Sequence, residues 1–126
     1  MKSNYHFKFE DLQVYQKAMD YGETINEQVK GFPNHELYAL SSQFRRASDS
    51  IALNISEGYP GSDKQFVKHI NYAIYSANEC VSCSTKSKRR GYITFEVDEE
   101  NRRLVSELTK MLSSLRKTIV KRINKN

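Results

Sequence analysis

The sequence predicts an all-α protein, an antiparallel up-down-up-down four-helix bundle. Three observations predict it. Apolar residues recur at steps of three and four over long stretches, the spacing of one helix face. Glycine and proline fall at the ends of those stretches and divide the 126-residue chain into four. The links so marked are short, and short links oblige consecutive long helices to run antiparallel. At this length one domain with one continuous core is expected, without disulfides or metals as staples.

The first helix is expected over about 9–30, with Leu12, Tyr15, Ala18, Met19, Ile25 and Val29 on its apolar face. Gly31-Phe32-Pro33 ends it, a glycine cap followed by a residue that cannot continue the helix. Asn34 serves as N-cap for the second, about 35–57, which carries Leu37, Leu40, Phe44, Ala47, Ile51 and Ile55 and stops at Gly58-Tyr59-Pro60-Gly61. Ser62-Asp63-Lys64-Gln65 has the form of a capping box and opens the third, about 63–90, with Phe66, Ile70, Ala73, Ile74, Ala77, Cys80, Val81 and Ser84 on one stripe before Gly91. The fourth, about 97–123, runs through Leu104, Val105, Leu108, Met111, Leu112, Leu115 and Ile119, close to a heptad seam. Residues 1–8 and Asn124 to Asn126 are expected to fray.

Charge agrees with these boundaries. Glu10, Asp11, Asp63 and Glu96 to Glu100 fall in first turns, whereas Lys30, Lys86 to Arg90 and Lys117 to Lys125 fall in last turns, as the helix dipole prefers. The net charge is +5, which favours an anionic partner such as nucleic acid or an acidic protein. In an antiparallel bundle Lys88, Arg89 and Arg90 lie beside the acidic start of the fourth helix and are partly neutralised. The run Lys110, Arg116, Lys117, Lys121, Arg122 and Lys125 contains no carboxylate of its own, so the strongest unopposed positive potential is expected there. Arg45 and Arg46 project from the side of the second helix, suited to phosphate or to an ion pair, with Glu79 as one possible partner.

Little points to a reaction. No apolar run reaches the length of a membrane span, and the N-terminus has no apolar signal core, so a cytoplasmic protein is expected. Cys80 and Cys83 stand at i and i+3 deep inside a helix, the wrong place for a redox pair, which needs a helix N-terminus. Zinc would require two more ligands, and His69 is about 16 Å away along the axis. Both cysteines therefore read as small hydrophobes in a helix seam. No nucleophile elbow, HExxH or glycine-rich phosphate loop occurs, so neither catalytic residues, nor a metal, nor a cofactor is expected. Tyr72 and Tyr75 fall beside the apolar stripe of the third helix and widen its sticky face, as at a protein–protein interface between subunits.

Three stretches carry a family resemblance: Phe9-Glu10-Asp11-Leu12 with Val14-Tyr15 and Lys17-Ala18; Leu40-Ser-Ser-Gln43-Phe-Arg45-Arg46-Ala47 with Ser50-Ile51, Asn54-Ile55 and Glu57-Gly58; and Lys88-Arg89-Arg90-Gly91-Tyr92-Ile93. Over roughly 9–120 the chain resembles the four-helix-bundle proteins encoded in intervening sequences of bacterial large-subunit ribosomal RNA genes. It is similar, more distantly, to the accessory variability proteins of diversity-generating retroelements, which engage a reverse transcriptase and its RNA. The resemblance implies a ring-like homopentamer. Ala52 replaces a proline common in the family, which implies a straighter second helix, and Tyr59-Pro60-Gly61 stands where basic residues often follow, which moves the nucleic-acid site toward the C-terminal helix. The function expected is that of a non-enzymatic oligomeric scaffold binding RNA, or DNA, through basic helix ends. The alternative is an adaptor that docks an acidic protein or a polymerase such as a reverse transcriptase.

Overall fold

Four α-helices account for most of the chain, and no strand occurs among the described residues, 2–125 of a computed structural model. They are α1 (Gln13–Val29), α2 (Leu40–Gly58), α3 (Asp63–Arg89) and α4 (Phe95–Lys125). Ser62 caps α3 as its sequence indicates. Its hydroxyl accepts from the Gln65 N–H at 3.2 Å, and the Gln65 side chain accepts from the Ser62 N–H at 3.1 Å. At the far end of α3 Gly91 is left-handed (φ 78°), which lets Gly91 N–H reach Lys88 O and Tyr92 N–H reach Ser87 O, both at 2.9 Å.

Two starts differ from expectation. Phe9 to Asp11 belong to a 3-10 turn (Lys8–Asp11), and Leu12 is extended, so α1 begins at Gln13. The Phe7 N–H donates to Glu10, and the Phe9 ring packs edge-on against Tyr15, which orders part of a segment expected to fray. Asn34 is likewise not the cap of α2. It opens a 3-10 turn (Asn34–Glu36), and α2 starts at Leu40, whose N–H donates to the buried Glu36 carboxylate. A local capping preference yields there to a tertiary ion pair. α4 continues to Lys125, beyond its expected end, while Met1 and Asn126 lie outside the described residues.

The helices meet in a consistent register. Gln43, Ser50 and Asn54 of α2 bond Glu79, Ser76 and His69 of α3, so numbers rise along one helix as they fall along the other. Ser84, Asn71 and Asp63 of α3 bond Asp98, Arg116 and Arg122 of α4 in the same sense. Phe44, Ile51, Ile55, Ile70, Leu108 and Leu112 fill the core, and Ala18, Ala47, Ala73 and Ala77 let the axes approach. α1 packs along α2 and touches α4 sparingly. Between α1 and α4 runs a seam with two open hollows of about 310 and 490 Å³, the first rimmed by the Lys17–Glu107 ion pair and the second floored by Leu12, Val14, Met111 and Leu115.

Candidate nucleic-acid interface

The two ends of the helix array treat their cations in opposite ways. At the end where α3 finishes and α4 begins, two buried carboxylates collect them. Asp98, 1% exposed, accepts from Ser84 Oγ at 2.7 Å and Arg102 Nε at 2.9 Å, with Lys88 Nζ 3.7 Å away. Asn101 donates to Ser84 and exchanges two hydrogen bonds with Gln28, tying α1 into the cluster. Burial raises the Asp98 pKa, but the Ser84 and Arg102 hydrogen bonds and the charges of Arg102 and Lys88 outweigh it, and the net shift is downward. Glu36, also buried, accepts from Tyr92 Oη and Arg90, each at 2.8 Å. The Tyr92 hydrogen bond leads in holding the Glu36 pKa below its ordinary value despite burial. Of Lys88, Arg89 and Arg90, Arg89 is the one that is exposed and makes no ion pair among the described residues.

At the opposite end the expected patch is there, but not wholly unopposed. The antiparallel register brings Asp63, from the first turn of α3, to Arg122 at 2.7 Å, and Arg116 donates to Asn71 at 2.7 Å. These partners are about fifty residues away in sequence, so the acid-free run from Lys110 onward could not show them. Lys110, Lys117, Lys121 and Lys125 are exposed and make no ion pair among the described residues. The same register adds exposed Lys64 and Lys68 of α3, which sequence reasoning passed over; their signal was the first turns of α3 lying beside the last turns of α4. Arg45 and Arg46 sit apart on α2. Arg45 lines a hollow with Phe32 and Leu37, and Arg46 lines one with Gln43 and Glu79, whose carboxylate takes Gln43 at 3.4 Å and forms no ion pair with either arginine. The candidate cations therefore form three separate groups.

Tyr72 and Tyr75 are exposed at 41% and 64%. Lys68 Nζ lies 5.9 Å from the Tyr72 ring centroid and His69 meets that ring edge-on. Cys80 and Cys83 are fully buried beside Tyr21, whose hydroxyl has no hydrogen-bond partner. Burial pushes their thiols up to about 12 and about 11, away from the thiolate needed for nucleophilic or redox work. Neither is expected to react with a thiol reagent at pH 8 until guanidinium unfolds the chain, when both titrate; rapid labelling of native protein would overturn that packing. No group of three or more His, Cys, Asp or Glu side chains suited to a metal occurs among the described residues, and none of their helices is long and apolar enough to cross a membrane.

Residues 10–114 match the family described as 23S rRNA-intervening sequence protein. The chain is also similar to the crystal structure of a protein of unknown function from the S23 ribosomal protein family of Bacteroides thetaiotaomicron. The two are 29% identical, with a TM-score of 0.76 over 82% of this chain and 95% of that one. No curated protein gives a significant match.

Proposed function

The chain belongs to the 23S rRNA-intervening sequence protein family, and from that membership we propose a non-enzymatic cytoplasmic scaffold that binds RNA through basic helix ends. The observation that carries the proposal is the contrast between its ends. Buried carboxylates engage Lys88, Arg90 and Arg102 at one, whereas Lys117, Lys121 and Lys125 of α4 keep unpaired charges for phosphate at the other, with Lys110 halfway along the helix. Arg122 is shared with Asp63 and contributes less. The up-down-up-down bundle acts as a ring-like homopentamer in this proposal, so five weak patches form one multivalent surface and avidity replaces single-site affinity.

Affinity for RNA is expected to fall steeply with salt. Replacing Lys117, Lys121 and Lys125 with glutamine should weaken binding uniformly across sequences and flatten the log–log salt slope by about two to three for each subunit that contacts the RNA. A flat slope for the native protein, or an unchanged slope in the variant, overturns the proposal.

A second reading has its own support. Met19 and Leu53, exposed at 44% and 56%, line one hollow between α1 and α2, apolar side chains suited to a protein partner such as a polymerase. Nuclease-insensitive, stoichiometric binding to a protein would favour that adaptor role.

A further inference from the structure

The outward face of α3 presents Lys64, Lys68, Tyr72, Tyr75, Lys86 and Arg89 in one row, every one of them exposed. They span about 38 Å at 1.5 Å rise per residue. The four cations make no ion pair among the described residues. One exposed carboxylate, Glu79, lies within this row between Tyr75 and Lys86 and accepts from Gln43 Nε2 of α2 at 3.4 Å. Tyrosines thus occupy the middle of a face whose two ends are positive.

We propose that this face is a track for single-stranded nucleic acid, with Tyr72 and Tyr75 as stacking platforms for bases and the flanking cations as phosphate contacts. Base stacking on aromatic rings combined with a positive path is how strands are held without sequence readout. Lys68 and the edge-on His69 ring position Tyr72, so less side-chain freedom is lost when a base stacks on it. A duplex would use the cations alone, because its bases are already stacked. A second copy of the chain fits the face poorly. Its exposed large apolar side chains are the two tyrosines, without an exposed aliphatic neighbour, and four unpaired cations surround them, a poor match for the apolar core of a subunit interface.

The track presumes the RNA binding proposed above and shares Lys64 and Lys68 with the α4 end, but its tyrosines lie further along α3, so variants at the tyrosines and at the α4 lysines can fail separately. Fluorescence anisotropy on labelled oligouridine and on an RNA hairpin, with light scattering on every protein, tests it in Tyr72→Ala/Tyr75→Ala, Tyr72→Phe/Tyr75→Phe and the α4 glutamine variant. The alanine pair is expected to weaken oligouridine binding by about 10- to 100-fold, leave the hairpin and the subunit mass unchanged, and be rescued by phenylalanine. Unchanged oligouridine affinity in the alanine pair with loss in the α4 variant overturns the track and leaves the α4 site standing. A changed subunit mass with RNA affinity intact makes the tyrosines an interface and also overturns it. Binding of neither RNA by native protein overturns both.

Discussion

Replacing Asp98 with alanine is expected to cost about 3 kcal/mol at neutral pH, which for a chain of this size lowers the melting temperature by about 10 °C. Asp98 is 1% exposed, and its carboxylate gathers groups from both α3 and α4. Alanine would leave the buried Ser84 hydroxyl without its acceptor. Arg102 and Lys88, each more than one third exposed, can turn to water, which keeps the loss below that of an ion pair stranded in a core. The pH dependence has a definite sign. The folded Asp98 pKa is lower than that of the unfolded chain, so its stabilisation is complete above about pH 4 and disappears as pH falls through the depressed folded value. Denaturant melts should show a wide gap between native protein and variant at pH 7 that narrows steadily below pH 4. A gap that stays constant down to pH 2 would mean that the Asp98 charge contributes nothing.

That cluster marks where the sequence stops being informative. Helix identity was legible because it is local: the three- and four-residue spacing from Leu40 to Ile55 and the Ser62–Gln65 capping box need no knowledge of distant chain. Ion-pair partners were not. Glu36 is an ordinary acidic residue after a proline turn until the fold brings Arg90 and Tyr92, more than fifty residues on, against it, and this carboxylate then decides where α2 begins. The candidate interface shows the same division. Its cations could be read from composition, but which remain free depends on register, since Asp63 engages Arg122 and bypasses Lys121. The α3 row lay within reach of sequence reasoning, because Lys64, Lys68 and Tyr75 share one helical face, yet only the packing shows that this face points away from every other helix.

Gly58 shows the same limit in a form that a single substitution can measure. From sequence it is a stop signal, but Gly58 belongs to α2, where by propensity alone alanine is about 1 kcal/mol better than glycine. The structure reverses the sign. Gly58 is the last residue of α2, has no left-handed φ, and lies where α2 crosses α3. A Cβ there would fall 2.5 Å from His69 Cβ and 3.0 Å from its Cγ. The obstructing atom is next to the backbone, so no rotamer change removes it, and the helices must part. The overpacking cost, about 3 kcal/mol, exceeds the propensity gain and leaves a net loss of about 2 kcal/mol. Gly31→Ala is the internal control, since its Cβ meets nothing nearer than 3.6 Å and no change or a slight gain is expected. Combining Gly58→Ala with His69→Gly should recover part of the loss beyond additivity, because the second change removes the obstructing atom. Equal and small effects of alanine at 58 and 31 would mean that the crossing is looser than described, and His69 would then lose the contact that holds it beside Asn54 and Tyr72.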